Sequence, residues 1–379
     1  MPGTIIDYVK EYGHIPFSEA SVSDVDSLVL SQFAYMKFDG MVPGLFDNKP
    51  SVTLQDIFFH PDYENLYADV RYEEENRALF EAMLESTRFC DMRVNCYINI
   101  IEEEWETQFS AITCILGDGT LYIVYRGTDE SIVGWKEDFN MAYLSPVPGQ
   151  AYSVKYLNIV TGFLKKDFYV GGHSKGGNLA IYAAMNCNKK VQKRIIKVYS
   201  MDGPGFRPET LEKSDFGAIS DRTVKILPHS SLVGMIFEQN MDYLVVDSKG
   251  FGLAQHDPYT WLTENGKFVY IDDITQYQKF MDQTMNEFIL GLEKEELQIF
   301  VDTMYQVISA SQADNLIDFV ADWKKSVGGI IEAMKEVTPE TREMMKRFAK
   351  ELFQLVGQRM KAEFKLLGKN NEKGNKTNE

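Results

Sequence analysis

The stretch DFYVGGHSKGGNLA, residues 167–180, sets small and polar residues between an apolar run and a helix-like segment. Within it, GHSKG at 172–176 fits the pattern G-x-S-x-G. A serine in this pattern sits in a strained turn, and the flanking glycines avoid collisions with the neighbouring strand and helix. The following helix would direct free N–H groups and its dipole toward Ser174. We therefore predict that Ser174 is a nucleophile; the alternative is a glycine-rich turn that only packs the helix on the strand.

Strand-like and helix-like patterns alternate around this turn, from about residue 91 to residue 273. The runs rich in β-branched and aromatic residues are VNCYINI, FSAITCIL, TLYIVYRG, KDFYVGG, IIKVYSM, TVKILPH and KFVYI. Helix-like stretches such as GWKEDFNMAY, AYSVKYLNIVTGFL and GNLAIYAAMNC lie between several of them. This alternation predicts an α/β fold with a largely parallel sheet. The turn LGDGT at 116–120 predicts an antiparallel hairpin ahead of the parallel part.

Helical patterns flank this central region on both sides. SDVDSLVLSQFAYMKF and EEENRALFEAMLEST carry apolar residues at steps of three and four within residues 1–90. The pattern is helical again in residues 274–367, and the polar residues 368–379 are expected to be disordered. The sequence therefore predicts an N-terminal helical cap region at 1–90, an α/β core at 91–273, a C-terminal helical region and a short tail.

The composition limits the partners and the compartment of the chain. The 379 residues carry a formal charge of −17, from 39 basic and 56 acidic side chains, so nucleic acid is not an expected partner. The start, MPGTIIDYVKEYG, lacks a basic segment followed by an apolar one, and no apolar stretch has membrane-spanning length; we expect a cytoplasmic location. The four cysteines form no CxxC pair and are expected to be reduced and buried. No P-loop, HExxH or EF-hand pattern occurs, and no cofactor or metal is expected.

A second motif lies upstream, in YIVYRGTDESIVGWKEDF at 122–139. Its strand ends in RGT at 126–128 and leads into a helix-like segment that carries Trp135 and Asp138. Together with GHSKGG, this arrangement resembles the class 3 lipases of the α/β-hydrolase superfamily, which carry an RGT or RGS turn, a W-x-x-D-like segment and GHSxGG. The resemblance covers roughly residues 105–260, and the chain is similar to an uncharacterised bacterial family of lipase-like α/β hydrolases. It implies an α/β-hydrolase fold.

The resemblance also implies an oxyanion hole. Thr128 matches the residue that donates its backbone N–H, with its hydroxyl as a further donor, and the N–H of Lys175 would be the second backbone donor. Such donors are worth roughly 2.7–4 kcal/mol each in the transition state. Lys175 itself replaces a leucine that is common in the family. Either its stem packs while its ammonium reaches solvent, or the ammonium attracts an acidic head group of the substrate.

A serine hydroxyl needs a base, which α/β hydrolases supply in the order serine, acid, histidine. Two histidines follow Ser174 in the chain. His256 lies in GFGLAQHDPYTW, a loop before the last strand-like run, where the superfamily places its catalytic histidine. His229 in LPHSS is the alternative. The remaining histidines are expected to have structural roles: His14, His60 and His173.

The acid of the site has several candidates. In class 3 lipases it would follow the strand that reads TVKIL here, but PHSS at 228–231 has no carboxylate. Asp202 directly follows the run IIKVYSM and resembles the acid position of pancreatic-type lipases, so it is the predicted acid. The alternatives are Asp242, Asp247, a serine–histidine dyad or a degraded site.

An amphipathic stripe closes the chain. Residues 345–367 carry apolar side chains at steps of three and four, and residues 346–376 carry nine basic and three acidic side chains. The stripe has two interpretations: a face that packs on the core, or a basic helix that lies on an anionic membrane surface.

The predicted activity is hydrolysis of a carboxylic ester through an acyl-enzyme, with a small-molecule ester, a lipid ester or a thioester as substrate. Ser174 would attack, His256 would act as base and Asp202 would orient it, while the N–H groups of Thr128 and Lys175 would hold the oxyanion. The alternative is a catalytically silent binding or scaffold protein of the same fold. The oligomeric state is not indicated.

Overall fold

The computed structural model describes residues 2–102, 104–129, 132–141, 144–231, 233–237, 241–250, 252–274 and 276–310, together with residues 339, 342, 343, 346, 347 and 350. The chain divides into two compact units, Met1–Ile274 and Thr275–Glu379. The predicted boundaries at residues 90, 273 and 367 stay a prediction.

Helices surround the sheet of the first unit and make up the described part of the second. Those of the first unit are α1 (Ile5–Tyr12), α2 (Asp24–Phe33), α3 (Leu54–Phe58), α4 (Glu73–Glu85), α5 (Ile132–Asn140), α6 (Pro148–Phe163), α7 (Lys175–Asn186), α8 (Lys189–Gln192) and α9 (Pro208–Glu212). Short 3₁₀ helices span Tyr63–Tyr67, Phe216–Ala218, Ser220–Arg222, Gly252–His256 and Pro258–Thr260. The second unit contains α10 (Gln276–Gly291) and α11 (Lys294–Ala310).

A mixed sheet forms the centre of the first unit. The strands are β1 (Val52–Thr53), β2 (Arg93–Glu102), β3 (Thr107–Ile115), β4 (Leu121–Tyr125), β5 (Phe168–His173), β6 (Ile195–Met201), β7 (Thr223–Pro228), β8 (Tyr243–Val246), β9 (Thr263–Glu264), β10 (Lys267–Phe268) and β11 (Tyr270–Ile271). Their order in the large sheet is β1-β2-β3-β4-β5-β6-β7-β8-β11, and β4 to β8 run parallel. The predicted α/β fold with a parallel centre is confirmed, as is the antiparallel hairpin of β3 and β4.

Two details of the sheet differ from the prediction. The run KFVYI is not one strand: β10 pairs with β9, whereas β11 pairs with β8. The change of partner occurs at Val269, whose N–H donates to Leu262 O while its own carbonyl accepts from the N–H of Asp247. Strands β1, β8 and β9 were not predicted, because their two to four residues are too few to show a period.

Both faces of the central strands are buried. In β4, Tyr122 and Val124 belong to a core cluster with residues of α1, α2 and α4, whereas Leu121, Ile123 and Tyr125 belong to a second cluster with residues of α6 and α7. Alternate side chains of a strand point to opposite faces, so one layer of helices covers each side. Each large apolar side chain buried in this way contributes about 1.5–3 kcal/mol. This explains why the central strands read as continuous apolar runs.

Further expectations concern cysteines and membranes. All four cysteines lie within the described residues and are free, and Cys96, Cys114 and Cys187 are buried as predicted, with Cys90 partly exposed. None of the helices in the described part of the chain is long and apolar enough to cross a bilayer. The apolar residues of the predicted stripe at 345–367 and the tail at 368–379 lie outside the described residues.

Candidate active site

The turn between β5 and α7 carries Ser174. Its backbone has φ 58° and ψ −130°, a conformation that residues other than glycine rarely adopt. A Cβ added to Gly172 would lie 2.5 Å from the carbonyl oxygen of Tyr125, and one added to Gly176 would lie 2.1 Å from the same atom. Glycines at these positions therefore let the strand and the helix approach closely enough to hold the turn. The predicted strained turn is present.

We expect Gly176→Ala to lower the free energy of unfolding by about 1–3 kcal/mol, because backbone rather than a flexible side chain occupies the space of the new methyl group. Gly162→Ala in α6 is the matched control, since no atom lies within 4 Å of its added Cβ. Alanine is the better helix former by about 1 kcal/mol, so this control should be neutral or stabilising. Urea denaturation measures both, and equal losses in the two variants would contradict the steric explanation.

Three side chains meet at the carboxyl ends of the parallel strands. His256 Nε2 lies 2.9 Å from Ser174 Oγ, and His256 Nδ1 lies 2.6 Å from Asp202 Oδ2. Asp202 directly follows β6, and His256 ends the 3₁₀ helix Gly252–His256. The Asp202 side chain is 1% exposed and that of His256 is 17% exposed. The three residues that sequence reasoning selected are therefore brought into one hydrogen-bonded chain.

The carboxylate of Asp202 is held from the side opposite His256. Its Oδ1 accepts a hydrogen bond from the hydroxyl of Ser231 and another from the N–H of Gly234, at 3.2 Å. These donors occupy Oδ1 and leave Oδ2 for the imidazole. Ser231 belongs to the PHSS segment after β7, where the class 3 pattern would have its acid. This segment thus supplies a hydroxyl donor to a carboxylate from the neighbouring strand.

The alternative residues lie elsewhere. His229 Nε2 lies 2.8 Å from Gln255 Nε2, and His229 Nδ1 lies 3.4 Å from Asp247 Oδ1. Asp242 is exposed just before β8. Within the described part of the chain, Asp202 is the carboxylate in contact with His256. Of the remaining histidines, His14 is exposed and His60 is partly exposed.

His173 contacts the backbone of the loop that carries His256. Its Nε2 lies 2.9 Å from the backbone oxygen of His256, and its Nδ1 lies 3.1 Å from the hydroxyl of Tyr35. A carbonyl can only accept, so Nε2 carries the proton and Tyr35 donates to Nδ1. Burial lowers the pKa of His173 well below its usual value, which keeps the ring neutral. The role of Tyr35 was missed, because 138 residues separate it from His173 and no local pattern marks it.

The two predicted oxyanion donors lie beside the turn. Thr128 lies three residues after the end of β4, whose last residue, Tyr125, pairs with Gly172 of β5. Lys175 is the first residue of α7 and directly follows Ser174. Among the described residues, the backbone N–H groups of Thr128 and Lys175 find no protein acceptor. The hydroxyl of Thr128 is not free, since it donates to Asp138 Oδ2. Two N–H groups thus remain for a ligand.

The Lys175 side chain differs from the first interpretation in one respect: its stem is packed as expected, but its ammonium does not reach solvent. The side chain is 1% exposed, and its ammonium lies 3.0 Å from Glu137 Oε2, 2.9 Å from Gln108 O and 2.5 Å from Gln108 Oε1. The ammonium is therefore buried, and the acidic group that it contacts belongs to the protein itself. A charge removed from water needs a partner of opposite charge, and Glu137, with a fully buried side chain, provides it. The 38 residues between the two explain why the pair was not predicted.

The fold and this site define an α/β protein with a hydrogen-bonded serine–histidine–aspartate group at the carboxyl ends of its parallel strands. No cluster of histidine, cysteine, aspartate or glutamate in the described ranges is arranged to hold a metal ion. A family model described as Mbeg1-like matches residues 83–306, more than half of the chain, so the chain belongs to the Mbeg1-like family. A search among curated proteins finds no match for this chain.

Proposed function

We propose that this protein is a serine hydrolase with an α/β-hydrolase fold, which cleaves a carboxylic ester through an acyl-enzyme. A small-molecule ester, a lipid ester or a thioester would be the substrate. The observation that carries the proposal is the pair of contacts of His256, at 2.9 Å to Ser174 Oγ and at 2.6 Å to Asp202 Oδ2. Membership in the Mbeg1-like family, which is lipase-like, points in the same direction.

The order of contacts supports a path for the proton. His256 Nδ1–H donates to the Asp202 carboxylate, so Nε2 is free to accept the proton of Ser174 Oγ as the oxygen attacks the acyl carbon. The imidazolium that forms is stabilised by Asp202 and then protonates the leaving alcohol or thiol. A water molecule then attacks the acyl-enzyme while His256 takes its proton. His256 returns this proton to Ser174 Oγ as the bond between Oγ and the acyl carbon breaks and the carboxylic acid leaves. His256 thus gives up each proton that it accepts, and the cycle needs no cofactor.

The negative charge of the tetrahedral intermediate would be held by the backbone N–H groups of Thr128 and Lys175. Both groups are free of protein acceptors among the described residues, as an oxyanion hole requires. Ser174 also precedes a helix of 12 residues, whose N-terminal partial charge favours an anion at this point.

A fluorophosphonate probe and a series of p-nitrophenyl esters of increasing acyl length test the proposal on the full chain. The probe reports an activated serine without requiring the natural substrate, and the ester series measures the preferred acyl length. We expect covalent labelling of the folded protein and hydrolysis of at least part of the series. A folded protein that does neither would favour the catalytically silent binding protein instead.

A further inference from the structure

The buried ammonium of Lys175, in α7, contacts residues of β3 and α5. It contacts Gln108 of β3 and Glu137 of α5, and Glu137 Oε1 accepts a hydrogen bond from the N–H of Gly149, near the start of α6, at 2.7 Å. A buried ion pair usually gives no more stability than apolar residues of similar volume. Stability alone therefore does not account for a charged pair directly after the candidate nucleophile.

Asp138 connects this ion pair with the Thr128 turn. Its Oδ2 accepts the hydroxyl of Thr128, and its Oδ1 lies 3.8 Å from the ammonium of Lys175. Although the side chain as a whole is 22% exposed, Oδ1 is buried and accepts no hydrogen bond from the described residues. The carboxylate of Asp138 thus lies between the Lys175 charge and the turn that would bind the oxyanion.

We propose that Lys175 is a positioning residue that acts through Asp138: its buried charge keeps Asp138 ionised, and the ionised carboxylate fixes the Thr128 turn by accepting the threonine hydroxyl. A carboxylate can only accept, whereas a protonated carboxyl also donates and would loosen this arrangement. The inference rests on the proposed function, since the orientation of the turn affects catalysis only if Thr128 binds the oxyanion.

Three charged or chargeable groups act on Asp138: Lys175 of α7, Glu137 of α5 and His256 of the 3₁₀ helix Gly252–His256. Burial raises the pKa of the Asp138 carboxyl to about 6, and the strongest opposing influence is the positive charge of Lys175. Glu137, its neighbour on α5, raises the pKa, and His256 lowers it when protonated. Tyr35 is neutral, because burial raises the pKa of its hydroxyl far above neutrality. Lys175 is therefore the group whose removal would leave Asp138 largely protonated near neutral pH.

The test is the pH dependence of the rate of fluorophosphonate labelling. Lys175→Met removes the charge that favours the ionised form of Asp138. We therefore expect the acid limb of the profile, the range in which the labelling rate falls as the pH is lowered, to move to higher pH by about 1–2 units. Glu137→Gln removes the opposing charge and should move the limb to lower pH. If the pair of Lys175 and Glu137 had only a structural role, both variants would be labelled more slowly, but their acid limbs would not move in opposite directions. That result would overturn the inference.

A second measurement follows Asp138 itself. The carboxyl ¹³C signal of Asp138, assigned with Asp138→Asn, reports its ionisation in any folded variant. The double variant Lys175→Met/Glu137→Gln removes both charges of the ion pair, and its Asp138 midpoint should still rise because Lys175 is the stronger influence. An unchanged midpoint in this folded variant would overturn the inference.

The two proposals fail differently. If the wild-type protein is labelled and Lys175→Met has the same acid limb as the wild type, only the inference fails. If the wild-type protein does not label, the proposed function fails and the inference falls with it.

Discussion

Ser174→Ala is expected to abolish covalent labelling by a fluorophosphonate probe and to lower ester hydrolysis by about 10⁶-fold, the loss typical of removing a serine nucleophile. The reason is geometric as well as chemical. Ser174 Oγ is the hydroxyl that lies 2.9 Å from His256 Nε2, and the strained turn presents it at the start of α7. The measurement is the initial labelling rate of equal amounts of folded protein, checked by circular dichroism.

Ser230→Ala is the matched control for this experiment. Ser230 is partly exposed and lies near the site, where its backbone N–H donates to Gln255 Oε1 at 2.8 Å, a bond that alanine keeps. Labelling of this variant should equal that of the wild type. If the folded Ser174→Ala protein still labels, another residue carries the activated nucleophile and the assignment of Ser174 is wrong.

The parts of the site that could be predicted are those set by neighbours in the chain. The turn at 172–176 follows from an apolar strand, flanking glycines and a helix, all within a few residues of Ser174. His256 and Asp202 were selected because the resemblance to lipases implies a histidine in the loop before the last strand-like run and an acid directly after the run IIKVYSM. Parallel strands bring their carboxyl ends to one edge of the sheet. Their meeting at one serine is a consequence of topology, which the alternation of patterns already indicated.

The parts that could not be predicted depend on contacts between distant segments. The partner of Lys175 is 38 residues away, and the donor to His173 is 138 residues away. Neither Glu137 nor Tyr35 differs in its local sequence from a solvent-exposed acid or a core aromatic. The interpretation of the Lys175 side chain failed for this reason, since burial of an ammonium depends on a carboxylate that only the tertiary fold brings near.

Asp202→Asn is expected to lower the rate of ester hydrolysis by about 10⁴-fold while leaving the fold in place, as the loss of the acid does in other serine triads. An asparagine amide can donate to His256 Nδ1, which would move the imidazole proton to Nε2. That nitrogen could then no longer accept the proton of Ser174. The loss should appear in kcat and in the labelling rate, with little change in the free energy of unfolding.

Asp242→Asn and Asp247→Asn are the controls that decide between the candidate acids. Asp247 Oδ1 lies 3.4 Å from His229 Nδ1 and Asp242 is exposed, so both variants should retain the wild-type rate within about threefold. A loss confined to Asp202→Asn would mean that the carboxylate comes from the strand directly after α7, with Ser231 of the next segment as its hydroxyl donor. An Asp202→Asn rate within tenfold of the wild type would instead leave a serine–histidine dyad, in which His256 is oriented by His173 and its own backbone.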